Sequence, residues 1–272
     1  MPILNKDMTL CISLSARPSN LGTRFHNYLY EELGLNFIYK AFAPTNLADA
    51  IAGVRGLGIR GCAVSMPYKE QVIALIDDMD ASALAIDSVN TIVNDGGRLT
   101  AYNTDYSAVQ RLLAEHEVPS TLSVIVRGSG GMAKAVAAAL HDAGSDRGTI
   151  VARNEVTGRA LAALYNYEWA PEVGTLTADL IVNVTPVGMA GGEASADSSF
   201  SAKAIAAARV VFDVVASPSE TPLILAARAL GTPVITGAEV VALQAEEQFY
   251  LYTGIRPTPD QVRRASAFSR LP

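Results

Sequence analysis

The chain has 272 residues, half of them apolar and 18% charged, with a formal net charge of −6. That supplies a core for one large domain or two moderate ones and excludes a disordered chain. The acidic balance argues against a nucleic-acid or anionic-membrane partner, because either favours a basic stripe. An anionic small ligand held by a few local donors stays open.

The predicted elements alternate from the start. TLCISLS (9–15) reads as a strand and GTRFHNYLYEELG (22–34) as a helix ending at Gly34. FIYKAF (37–42) is a second strand, and NLADAIAGVRGLG (46–58) a second helix with Asn46 as its N-cap. IRGCAVS (59–65) is a third strand. VNTIVNDGGRLTAYN (89–103) reads as a β-hairpin, since Asp95-Gly96-Gly97 supplies the positive φ that its turn needs. The hydrophobic pattern restarts near residue 121 with a strand, a glycine turn, a helix and a strand through 153. Buried strands follow in 178–189, 208–215 and 232–236, and the tail from residue 240 is helical. Alternation of this kind predicts an α/β fold. Two lobes are expected with a ligand cleft between them: a substrate-binding catalytic domain over 1–105, completed by C-terminal helices 240–272, and a Rossmann-type dinucleotide-binding domain over 106–239.

Cys11 and Cys62 each sit in an apolar run and read as buried thiols of a reduced compartment. His26, His116 and His141 lack metal-ligand spacing, so no metal site is expected. The N-terminus has no basic region before an apolar core, and no run reaches transmembrane length, so a soluble cytoplasmic protein, monomer or homodimer, is the expectation.

Gly128-Ser129-Gly130-Gly131-Met132-Ala133 fits G-x-G-x-x-G/A, follows a β-rich run and opens an Ala-rich helix. Glycines there let backbone N–H groups approach a pyrophosphate at a helix N-terminus, where the dipole favours negative charge. The second strand of this unit ends in Ala152-Arg153-Asn154 with no carboxylate at its tip. An acidic residue there would take the ribose hydroxyl of NAD, and an arginine pairs with the 2′-phosphate of NADP. NADP is therefore favoured, with NAD possible because Glu155 is adjacent.

Lys69, in GCAVSMPYKE (61–70), is one of five lysines. A free lysine, with a pKa of about 10.4, is a poor base at neutral pH. Burial in a cleft lowers that value and a neighbouring carboxylate raises it, so a lysine under both influences can exchange a proton with a substrate hydroxyl. Spacing alone favours a plain exposed lysine at a strand-to-helix turn.

The segments SLS (13–15), VSMPYK (64–69), SVNT (88–91), YNTD (102–105), GSGGMA (128–133), NVTPVGM (183–189), DVVASPSETPL (213–223) and GAEVVALQA (237–245) together resemble the shikimate dehydrogenase family, most nearly its shikimate dehydrogenase-like subgroup. The resemblance implies an NADP-dependent oxidoreductase acting on shikimate or a close cyclic hydroxy acid. It assigns Lys69 and Asp105 to proton transfer. Ser13, Ser15, Ser65, Asn90 and Gln244 would hold substrate, and the turn from Gly128 through Ser129, Gly130, Gly131 and Met132 to Ala133 the pyrophosphate. Arg153 would face the 2′-phosphate, with Asn183, Thr185 and Met189 in a loop near the cofactor. The sequence departs from the family's pattern at Ala63 and Ser65, at Ala152 and Asn154, at Ala216, where a tyrosine is usual, and in a longer loop, Ala16 to Arg24, carrying Arg17 and Arg24. A shifted substrate, such as quinate or an aminoshikimate, and a dinucleotide-binding regulator with little turnover are the alternatives.

Overall fold

The computed structural model describes residues 4–271 and is a mixed α/β protein with two sheets. The chain divides into two compact units, the first running up to Thr104 and resuming from Ala242, the second taking Asp105–Val241. Among the described residues no helix is long and apolar enough to cross a membrane, and no cluster of three or more metal-ligating side chains occurs.

The first unit holds β1 (Thr9–Leu14), β2 (Phe37–Phe42), β3 (Gly61–Val64), β4 (Asp78–Met79), β5 (Thr91–Asp95) and β6 (Arg98–Tyr102). They form one sheet in the order β2-β1-β3-β5-β6-β4. The first three strands are mutually parallel, and β5 and β6 make the antiparallel hairpin, with Gly96 and Gly97 at positive φ in its turn. Strand period 2 divides the core. Ile12, Leu14, Cys62 and Val64 pack on one face under α2 (Leu47–Gly56), while Cys11 joins Phe25, Leu29 and Tyr30 of α1 (Asn20–Glu32) on the other. Asn46 caps α2 by accepting from the Asp49 N–H at 3.2 Å. The short α3 (Ala81–Leu84) completes this half.

Helix α1 starts at Asn20, so the segment read as a long loop is half helix. Ser19 precedes it as the N-cap, without a side-chain cap bond. Arg24 lies inside α1 and donates to the Leu271 carbonyl; Arg17 stays exposed.

The second unit begins with α4 (Thr104–Glu115, its first residue excepted) and contains β7 (Val124–Arg127), α5 (Gly131–Asp142), β8 (Gly148–Val151), α6 (Glu155–Leu164), β9 (Glu168–Ala170), β10 (Leu180–Asn183), α7 (Ala202–Ala207), β11 (Val210–Asp213), α8 (Pro222–Ala229) and β12 (Val234–Thr236). Its strands run in the order β12-β11-β10-β7-β8-β9, every pairing parallel. Parallel strands covered on both faces read as continuous apolar runs, as VIV of β7 and LIV of β10 do. The chain then returns to the first unit along α9 (Gly237–Thr253), and α10 (Pro259–Ser269) packs against α1.

Two buried polar groups anchor these cores. In the second unit Asp213, fully buried at the end of β11, accepts from Asn183 Nδ2 at 2.9 Å, the Val215 N–H at 3.0 Å and Thr221 Oγ1 at 2.7 Å. Burial raises its carboxyl above the usual carboxylate range, while the Thr221, Val215 and Asn183 bonds oppose the shift. In the first unit the His26 ring stacks on Tyr39 with centroids 4.4 Å apart. Burial pushes the imidazole down to about 3 from 6.5, the neighbouring Gln248 side chain opposing the shift.

Replacing Asp213 by alanine strands three donors, at about 1 to 3 kcal/mol each, so the variant loses about 3 kcal/mol or more in urea unfolding, and Asp213→Asn loses less. Because the folded pKa of His26 lies below the unfolded one, stability drops as pH falls below 6.5. His26→Phe should remove about 2 kcal/mol of the loss between pH 7 and 5, read from urea midpoints. Parallel slopes for the two proteins would contradict the buried imidazole.

Candidate functional site

At one edge of the first sheet the chain leaves β1 and β3, enters β5 and leaves β6, and five of the expected substrate and catalytic residues collect there. Ser13 and Ser15 are half-buried at the end of β1. The Ser15 N–H donates to the Phe42 carbonyl at 3.1 Å, and its hydroxyl accepts from the Arg17 N–H at 3.2 Å. The Ser13 hydroxyl lies against the buried Tyr39 phenol, whose pKa burial pushes up. Ser65, exposed just past β3, donates its N–H to the Leu14 carbonyl at 2.9 Å. Lys69 is half-buried in the following turn, and its carbonyl accepts from the Val89 N–H at 2.9 Å, which holds that turn beside the entry to β5.

Asn90 comes next and is 1% exposed. Its Oδ1 accepts from the Thr104 N–H at 2.8 Å, Thr91 Oγ1 at 2.9 Å and Thr104 Oγ1 at 3.2 Å. Its Nδ2 has no hydrogen-bond partner among the described residues. An unmatched buried amide donor costs about 1 to 3 kcal/mol, so such a group points to a ligand acceptor. Asp105 follows Thr104 directly and is buried in the first turn of α4. Gln244 is half-buried on α9, one turn ahead of Gln248, so the two share a face. Gln248 Nε2 reaches Thr91 Oγ1 at 3.0 Å and the Asn90 carbonyl at 3.4 Å. Gln248, Thr91 and Thr104 carry the Asn90 geometry and were not among the expected site residues. Thr91 and Thr104 lie inside the SVNT and YNTD segments, and the signal for Gln248 is its four-residue spacing from Gln244.

In the second unit the expected cofactor residues follow the ends of β7, β8 and β10, as ligand-binding residues do in open parallel sheets. Gly128 has φ +130, and an added Cβ would lie 2.7 Å from Val184 Cγ2, so the fold itself requires glycine. Gly130 and Gly131 differ: a Cβ on either meets nothing within 4 Å. Packing does not demand glycine there, whereas close approach of a pyrophosphate to the N-terminus of α5 does, and the turn fits a dinucleotide on that ground. Met132 is half-buried, and Ala133, fully buried, lets α5 pack close to the sheet. The Ser129 hydroxyl contacts Thr157 Oγ1 at 2.7 Å, joining the turn to α6, which Asn154 caps through the Thr157 N–H at 3.1 Å.

Arg153 is exposed at the tip of β8. Glu155 pairs with Arg159 at 2.7 Å, so its charge is already engaged. Burial, and then the nearby Arg153 cation, lower the pKa of Arg127 at the end of β7. Two guanidiniums that feel one another in this way suit an anion. Asn183 is fully buried, with Oδ1 bonded to Thr185 and Nδ2 to Asp213, so it holds the loop toward Met189 rather than presenting its own amide. Thr185 is half-buried and Met189 exposed.

Comparison with known proteins gives the chain's family. Residues 18–92 match the shikimate dehydrogenase substrate binding domain. A shikimate dehydrogenase-like protein of Haemophilus influenzae is 54% identical over 98% of this chain and 99% of its own length. A shikimate dehydrogenase (NADP(+)) of Halothermothrix orenii is 34% identical over 88% of each chain. The solved structure of shikimate 5-dehydrogenase from Thermus thermophilus, in complex with NADP(H) and shikimate, superposes with a TM-score of 0.85 at 29% identity, covering 96% of this chain and all of that one. With identity at this level over nearly its full length, the chain belongs to the shikimate dehydrogenase family.

Proposed function

We propose that this protein is an NADP-dependent oxidoreductase that interconverts shikimate, or a close cyclic hydroxy acid, and the corresponding ring ketone. The observation that carries this reading is the edge of the first sheet. There two serine hydroxyls, a half-buried lysine and a buried amide with an unmatched donor surround the ends of neighbouring strands. A polyhydroxy carboxylate needs such a set of short directional groups. In this reading the first unit binds substrate and the second binds the dinucleotide.

Ser13 and Ser15 hold the carboxylate, and Asn90 and Gln244 the ring hydroxyls. The unprotonated Lys69 amine takes the proton of the reacting hydroxyl as hydride leaves the same carbon. In the reverse direction its ammonium returns that proton to the forming alkoxide. Asp105 balances the lysine charge through the cycle. Bound NADP supplies the hydride acceptor. Gly130 and Gly131 admit its pyrophosphate to the backbone donors of α5, and Arg153 takes the 2′-phosphate. A binding-only regulator would need neither Lys69 nor Asp105.

Steady-state rates with shikimate, quinate and an aminoshikimate, each with NADP and NAD, test the reading. One acid should turn over with NADP strongly preferred; no nicotinamide reduction with any pair would sink it. Lys69→Ala should lower kcat by about 10² or more with KM little changed. Gly130→Ala should lower the melting temperature only by the small cost of losing a glycine N-cap, since its Cβ meets no protein atom within 4 Å, while weakening NADP binding by about tenfold or more in a titration. Arg153→Ala should cost NADP affinity and spare NAD.

A further inference from the structure

Two main-chain groups fix the direction of every hydrogen bond around Asn90. At one end stands the Asn90 carbonyl, which can only accept; it takes Gln248 Nε2 at 3.4 Å and the Val64 N–H at 2.8 Å. That sets the Gln248 amide with its nitrogen inward, so the same Nε2 donates to Thr91 Oγ1 at 3.0 Å. Thr91, having accepted there, turns its own proton to Asn90 Oδ1 at 2.9 Å. At the other end the Thr104 N–H, which can only donate, meets that Oδ1 at 2.8 Å. Reversing the Asn90 amide would set N–H against N–H at Thr104 and against the Thr91 proton. The side chain is held in one orientation, and Nδ2 is the atom left unmatched.

We infer that Gln248 and Thr91 are positioning residues that lock Asn90 as a donor-only contact, so the ring substituent it faces must accept a hydrogen bond: a hydroxyl fits, an ammonium does not. The inference rests on the functional reading for its ligand and narrows the substrate class within it. An amino-substituted acid is excluded where its ammonium would meet Asn90, because two sets of N–H donors would face one another with no acceptor between them. Gln248 does not touch substrate in this scheme. It acts through Thr91, and Thr91 acts through Asn90.

The decisive experiment has two arms. The first is a neutron structure of the free, deuterium-exchanged protein. It should show the Asn90 carbonyl toward Thr104 and both amide deuteriums directed away from every protein acceptor; the opposite orientation overturns the inference whatever the enzyme's substrate. In the second arm, dissociation constants are measured for the preferred acid and for analogues in which each non-reacting hydroxyl is replaced by hydrogen or by ammonium. At one ring position the order should be hydroxyl, then hydrogen, then ammonium, with at least about tenfold between the last two. Asn90→Asp, which presents only acceptors there, should move the ammonium analogue ahead of the hydrogen one. Gln248→Met and Thr91→Val should each shrink the wild-type discrimination severalfold while kcat for the preferred acid changes less than its KM, a split that general loosening of the fold would not produce. Ammonium bound as well as hydrogen at every position overturns the inference, as does a water on Nδ2 that stays in place under saturating acid. Failure of every parent acid to bind would sink the functional reading, and the neutron arm would still decide the orientation.

Discussion

The sheet of the first unit ends in groups that the ladder cannot pair, and one asparagine resolves most of them. Asn90 sits where β5 begins, with its carbonyl bound to β3 through Val64 and its Oδ1 bound to Thr104, two residues past the end of β6. It thereby fastens the order β3-β5-β6 at the end where substrate residues gather. Burial of an amide is favourable only when its donors and acceptors are matched. Here the acceptor is fully matched and the donor is not. In the proposed reading the same residue stabilises the architecture and sets the chemistry of what docks there.

The second unit repeats the device with opposite charge logic. Asp213 closes β11 by gathering donors from the loops after β10 and β11 and from the start of α8, and Asn183 passes that constraint to Thr185. A buried carboxylate with three donors keeps the base of the loop after β10 rigid. Asn183 was expected in a loop near the cofactor, and its buried side chain, bonded to Asp213 and Thr185, sets the base of the loop that carries Met189.

What could be read from the sequence was what local physics writes there. Apolar runs gave the parallel strands, Asn46 gave a helix start that its bond to the Asp49 N–H bears out, and Gly96-Gly97 gave the hairpin. The start of α1 was placed two residues late, at Gly22 instead of Asn20, although Ser19 is of a type favoured at helix N-caps. The two-residue β4 and three-residue β9 are too short to carry a period, and each exists because a longer neighbour offers an edge. The locks around the site were illegible for another reason. Gln248 and Thr91 are 157 positions apart, and Asn183 and Asp213 are 30 apart. Pairing across such distances is created by topology and leaves no periodic trace, so the site residues could be named by resemblance, while their orientation needed coordinates.

The departures from the family pattern fall outside these locks, and that bears on how specificity can drift. Ser65 is exposed, Ala216 is half-buried, and Ala152 and Asn154 flank Arg153 at a strand tip. The bonds that hold Asn90 and Asp213 come from Thr91, Thr104, Asn183, Val215 and Thr221, not from Ser65, Ala152 or Asn154. In the proposed reading, losing a methyl at Ser65 changes the shape near the substrate without releasing the groups that orient Asn90. An apolar reshaping of this kind shifts discrimination by about one or two powers of ten, whereas a reversed amide would still take a hydroxyl, as its donor, and would also admit an ammonium. The acceptor-seeking amide therefore constrains which acids can be substrates more tightly than the altered positions do. A chain diverging along this route is confined to ring acids that still bring an oxygen to Asn90.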